Sequence, residues 1–144
     1  MNTDVENKAV SKFLIALVET QKSFRELSRQ LKLHAETKTV EVIPFSPEKI
    51  KQHHWDETQQ TVAYGSEFGV SAMLQDETTI DWWLDVRVDG SGWCISANVL
   101  RSDPGEEGCH KVAEFGDQHS LDLEEAIKRL SEAVDWLGSF EIPF

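Results

Sequence analysis

The 144-residue sequence is poor in the residues that mark specialised chemistry or special compartments. It has two cysteines, Cys94 and Cys109, too few for a disulfide framework and suited to a reducing compartment. No run approaches the roughly 18 apolar residues that span a bilayer. The opening Met1, Asn2, Thr3, Asp4, Val5, Glu6 has neither the basic start nor the apolar core of a secretory signal. A cytoplasmic location is therefore expected. Basic side chains are also scarce, 14 against 26 acidic ones, for a net charge of -12 and a pI near 4.7. Such a surface repels phosphate backbones and anionic lipid, so the expected partners include neither nucleic acid nor membrane, although nucleic-acid mimicry stays open. Phosphate-cradling glycine loops, GxSxG, HExxH, CxxC and HxxxH are all missing.

What is present is a good supply of core-forming residues. Some 40% of the chain is apolar, with seven Phe and five Trp, which separates it from disordered acidic chains. The length fits one domain, residues 1–144. Charge divides unevenly along it. Residues 1–38 hold seven basic and five acidic side chains, a net +2, and the remainder holds seven basic and twenty-one acidic, a net −14.

The first segment lacks Gly and Pro and begins with Thr3 and Glu6 at capping-box spacing, so it predicts a helix over residues 4–34. Val10, Leu17, Phe24 and Leu31 recur every seven residues, joined by Phe13 and Leu27, with Leu14 and Val18 widening the seam and Thr20 interrupting it. Lys8, Lys12, Lys22, Arg25, Arg29 and Lys32 fall on the outer face. At about 1.5 Å per residue this helix is about 45 Å long, longer than a ten-residue strand of about 33 Å. It therefore overhangs its sheet, bends, or meets a second subunit as a homodimer seam.

Past the helix the hydrophobic period changes to two. Val40, Val42 and Phe45 suggest a strand ended by Pro44 and Pro47, and Ser46-Pro47 suggests a short helical turn before His53, His54 and Trp55. Two more strands are expected at residues 61–64 and 68–74, divided by Gly65 and Ser66. The clearest signal is a hairpin. Ile80, Trp82, Leu84, Val86 and Val88 alternate with Asp81, Trp83, Asp85, Arg87 and Asp89, and Gly90, Ser91 and Gly92 provide the turn. Pairing Val88 with Trp93 then sets Val86 on Ile95, Leu84 on Ala97 and Trp82 on Val99, so every apolar residue meets another. A last strand over residues 109–115 and a helix over 121–137 follow, the helix capped by Ser120, ended by Gly138 and buried along Leu123, Ile127, Leu130, Val134 and Leu137. The whole is an α+β two-layer sandwich: a mostly antiparallel sheet of five to six strands, with both helices on its apolar face.

The second face of that sheet is the candidate partner-binding surface: Asp81, Trp83, Asp85, Arg87 and Asp89, with Ser96 and Asn98 on the next strand. A large aromatic among carboxylates suits a basic protein partner. The bland alternative is a solvated face with Trp83 packed under a loop or a dimer mate. Asp81, Asp85 and Asp89 lie about 13 Å apart at each i to i+4 step, so they cannot share a metal ion. Asp85 to Gly90 fails as a calcium loop because Arg87 and Ser96 occupy ligand positions. His53, His54, Cys94, Cys109, His110 and His119 show no zinc spacing, and no metal or cofactor is expected. An enzyme or small-ligand module would centre on His53, His54 and His110. Cys109, His110 and His119 have no accompanying oxyanion hole, and no catalytic residue is assigned.

The order helix, antiparallel sheet, helix, together with the hairpin of Trp82 to Leu100 and its turn of Asp89, Gly90, Ser91, Gly92 and Trp93, resembles the bacterial immunity proteins that neutralise polymorphic or contact-dependent toxins. The resemblance implies a non-enzymatic binding role and carries over no individual residue. The chain is similar also to type III secretion chaperones, which are small, acidic and dimeric, although their mid-sheet helix has no counterpart in the right place here.

Overall fold

The computed structural model describes residues 3–53, 60–116 and 118–139, with side chains described for 8, 10–48, 63–116 and 118–139. Helix α1, Thr3–Lys32, is the long N-terminal helix that the sequence predicts. The side chains of its Thr3 and Glu6 capping box lie outside the described residues. Phe13, Leu17, Thr20, Phe24, Ser28 and Leu31 are buried along one face. Their spacing averages the 3.6 residues of a straight helix, and the set includes Leu17, Phe24 and Leu31 of the seven-residue seam. Val10, Leu14 and Val18 are half exposed, at 51%, 55% and 50%, which corrects their place in the buried seam, and Ile15 beside them is exposed at 61%. Thr20 does not interrupt that seam. Its hydroxyl donates to the Ala16 carbonyl at 2.6 Å, which satisfies the polar atom and lets the residue sit in the core.

Strand β1, Thr37–Ile43, holds Val40 and Val42 as expected but ends before Phe45. The next segment is not a helical turn but a strand, β2, Glu48–His53. It is drawn into the sheet by β3, Gln60–Leu74, which runs unbroken through Gly65 and Ser66 where a division was expected. β3 is long enough to pair β1 with its second half and β2 with its first, both antiparallel and on the same edge. An edge of unpaired backbone groups captures a polar segment whose own propensity is weak. Gly65 permits close approach and makes no turn: a Cβ there would collide with the Val86 carbonyl oxygen on the neighbouring strand. The loop from β1 to β2 drops Phe45 onto Phe68, ring centroids 5.1 Å apart, and the Ser46 N–H donates to Ser66 Oγ at 3.0 Å.

β4, Thr79–Asp89, and β5, Gly92–Ser102, form the hairpin. Val88 pairs with Trp93, Val86 with Ile95, Leu84 with Ala97 and Trp82 with Val99, in the register that side-chain parity dictated. The turn is held by Asp89 Oδ1, which accepts from the Ser91 N–H at 2.8 Å and the Ser91 hydroxyl at 2.6 Å. These bonds from the Ser91 side chain and backbone hold the Asp89 carboxyl below its ordinary pKa, against the smaller effect of burial. A depressed folded pKa gives stability that is present above the unfolded value, about 4, and is lost as pH falls through the lower folded value. Asp89→Ala is therefore expected to lower the melting temperature near pH 7, with the difference from wild type shrinking as pH falls below about 4. Thermal melts across that range measure it.

β6, His110–Glu114, and β7, Gln118–Leu121, share the far edge of β5. The seven strands thus make an antiparallel sheet about five strands wide, ordered β1-β3-β4-β5-β6 with β2 beside β1 and β7 beside β6 on the two edges. β7 takes the residues where a helix start was expected. Helix α2 is Leu123–Gly138, and its N-cap is Asp122, not Ser120. Asp122 Oδ1 accepts from the Glu125 N–H at 2.8 Å while Glu125 Oε1 accepts from the Asp122 N–H at 3.2 Å, a complete capping box. Ser120 stands instead at φ 59 at the end of β7. Ala126, Leu130, Ala133 and Leu137 are the buried line of α2, flanked by Leu123, Ile127 and Val134.

α1 packs over β1 and β3, α2 over β5 and β7, and the helices touch each other, so both cover one face. The core lies between: Phe68, Val70, Ile80, Trp82, Leu84, Val86, Ile95 and Val99 from the sheet meet Phe24, Leu31 and Leu130 from the helices. Phe24 stands edge-on to Phe68 at 5.7 Å, and Phe13 lies 4.6 Å from Trp93. No described helix is long and apolar enough to cross a membrane.

Candidate binding face

Strand parity puts the odd-numbered residues of β4 on the face away from the helices. Cross-strand pairing then sets their neighbours. Asp81 lies between Ser71 and Leu100, Trp83 between Gly69 and Asn98, Asp85 between Glu67 and Ser96, and Arg87 between Gly65 and Cys94. Beyond Gly69 the same row ends at Ile43 on β1. All seven predicted face residues therefore share one side of the sheet. Among the described residues, neither helix covers it.

Glycine shapes this surface. Gly69 beside Trp83 and Gly65 beside Arg87 have no side chains, so the indole and the guanidinium have room along one flank while strand β4 comes close. A Cβ on Gly69 would strike the Trp82 carbonyl oxygen. Leu100 and Ile43, both partly buried, add apolar surface around Trp83.

The electrostatics are less uniform than the count of aspartates suggests. Arg87 Nε donates to Asp85 Oδ1 at 2.8 Å, and its Nη2 reaches Glu67 Oε1 at 3.5 Å. Burial alone would oppose the guanidinium charge, but the bond and attraction of Asp85, helped by Glu67, outweigh it and hold the Arg87 pKa above its ordinary value. One guanidinium is thus shared by Asp85 and Glu67, so the three groups together carry a net charge of −1, and Asp81 and Asp89 add to it. Asn98 Oδ1, shielded from solvent beside Trp83, has no hydrogen-bond partner among the described residues.

At the fork where β1 and β2 diverge along β3, a hollow of about 510 Å³ opens beside Arg87. Ile43, Pro44, Ser46, Glu48, Ser66 and Glu67 complete its wall. A second hollow, about 600 Å³, lies on the other side of the molecule between α1 and α2, lined in part by Phe24, Leu27, Val134 and Leu137. Neither is lined by a histidine or a cysteine.

The histidine cluster is divided by the topology. His53 ends β2 on one edge and His110 begins β6 on the other, four strand spacings or about 19 Å across the sheet, and the register sets them twelve residues, about 40 Å, apart along it. His54 and Trp55 lie outside the described residues. His119 is exposed on β7. No disulfide joins Cys94 and Cys109. Arg101 faces His110, with a register shift one pair further on.

One grouping escaped the sequence reading. Asp103, Glu106 and His110 bring their donor atoms within 4.8 Å of one another. The pattern Asp-x2-Glu-x3-His was the available signal, but it spans a turn and a strand start and matches no compact zinc motif.

No protein-family model, curated protein or solved structure matches the chain.

Proposed function

We propose that this is a non-enzymatic acidic binding protein of the cytoplasm that engages a basic protein through the uncovered sheet face, with Trp83 as the anchor. Toxin blocking is the role that the likeness to immunity proteins suggests. The observation that carries the reading is the coplanar set of Trp83, Ile43 and Leu100 amid Asp81, Glu67 and Asp89, on the one sheet face that no described helix covers. The hollow beside Arg87, with Glu48 and Glu67 in its wall, suits a lysine or arginine of the partner.

Charged groups at the rim of such a face set association more than dissociation. The double variant Glu67→Gln, Asp81→Asn is expected to slow association with the partner several-fold, with little change in dissociation, and to flatten its dependence on ionic strength. Surface plasmon resonance at two salt concentrations measures this. Unchanged association would remove these carboxylates from the interface.

A second reading, a homodimer with a chaperone-like role, is favoured by the exposed line of Val10, Leu14, Ile15 and Val18 on α1. Light scattering separates the two. A dimer that Leu14→Glu converts to a monomer supports the second, and a wild-type monomer eliminates it.

A further inference from the structure

We infer that the β5–β6 corner is a binding site for one divalent transition-metal ion, with Asp103, Glu106 and His110 as its protein ligands. Three features of the chain converge there. The turn after β5 is pinned by the Glu106 N–H donating to the Asp103 carbonyl at 3.2 Å, with Gly105 at φ 82 and Gly108 at φ 77 taking conformations that side chains disfavour. The ladder then sets His110 directly across from Arg101, two residues before Asp103. Finally, Arg101 Nε holds Asp103 Oδ1 at 2.8 Å, so that Asp103 Oδ2 faces His110 Nε2 at 4.0 Å.

That geometry fits ligation. Donors about 2.0 to 2.2 Å from one ion lie about 3 to 4 Å apart, so only small rotations bring all three onto it. One imidazole nitrogen with two carboxylates matches zinc, manganese or nickel, whereas magnesium and calcium favour all-oxygen shells with more ligands. Three protein ligands on an exposed corner leave at least one position for water. Arg101 acts as a positioning residue, since it orients Asp103 without offering a donor to the ion. The site is at the sheet edge, apart from the Trp83 row, and the inference does not rest on the binding proposal.

The acidic surface attracts any dication diffusely, and other histidines could take zinc, so the test must separate these sources. Tag-free protein, stripped with chelator, is titrated calorimetrically with zinc chloride at about 0.15 M salt, which screens diffuse attraction. The expected result is one saturable zinc per chain, at least about tenfold weaker in His110→Ala and in Glu106→Gln. Glu114→Gln, an exposed acid on the same strand, is expected to bind as wild type, and equimolar magnesium is expected not to compete. All three side chains are at the surface, and matching thermal melts of the metal-free proteins establish that the variants are folded. Absence of saturable zinc uptake would overturn the inference. So would His110→Ala binding as tightly as wild type, or full displacement by magnesium.

Discussion

Trp82→Ala is expected to remove about 3 to 5 kcal/mol of stability, a large share of the roughly 5 to 15 kcal/mol available to a domain. Trp82 is 1% exposed, and its cross-strand neighbours are Val70 on β3 and Val99 on β5, both buried. Ile80 and Leu84 continue the same face of β4, and the helices close over it. The centre of a sheet flanked on both sides cannot collapse into the space an indole leaves, so the loss combines transfer free energy with a cavity. Urea denaturation monitored by circular dichroism measures the change. A loss below about 1 kcal/mol would mean that the sheet faces have been assigned the wrong way round.

The next residue predicts the opposite separation of effects. Trp83→Ala is expected to leave stability within about 1 kcal/mol of wild type and to weaken partner binding by about 2 kcal/mol or more, about thirtyfold. Trp83 is only partly buried, and one of its two cross-strand neighbours is a glycine, so little packing depends on it. In a complex the same openness becomes useful. Ile43 and Leu100 widen the apolar centre, and the hydrated carboxylates around it form a polar rim. The loss should appear mainly as faster dissociation, in contrast to the slower association expected for the rim variant. Two adjacent tryptophans are then expected to separate folding from binding: one variant destabilised, the other stable but weaker in binding.

The hairpin between these residues was the most legible part of the fold. Alternation over ten residues and a glycine-rich turn leave one parity, and a slip by one residue would have turned Trp82 and Leu84 to solvent. The two helices were legible from their apolar stripes, and the placement of both on one face followed from the alternation in the sheet. What the sequence concealed depends on pairing at a distance. Glu48–His53 is a strand because β3 offers it an edge, and Gly65 resembles a turn residue until Val86 is known to lie against it. Ser120 looked like a cap because Asp122, which caps α2, is only two residues away and β7 was not foreseen. Val10 was misplaced because the buried line of α1 begins only at Phe13 among the described residues: Val10 lies on the same side of the helix as buried Ser28 but nearer the N-terminal end.

The candidate face was legible in part for the same reason. Its seven predicted members lie on two adjacent strands of one hairpin, where local alternation suffices. Ile43 and Glu67 belong to it through β1 and β3, and only the register of those strands puts them beside Trp83 and Asp85. That register also tempers the charge, since it brings Glu67 within reach of Arg87.

The most direct test of the central claim is affinity capture from the source cell's lysate with three baits: wild type, Trp83→Ala, and Lys128→Ala on the helical side. Mass spectrometry would quantify what each retains at low and high salt. A basic protein retained by wild type and Lys128→Ala, released by salt and depleted about tenfold or more with Trp83→Ala, is the predicted outcome. Equal recovery of every retained protein by Trp83→Ala and wild type would contradict the assignment of the uncovered sheet face as the binding surface.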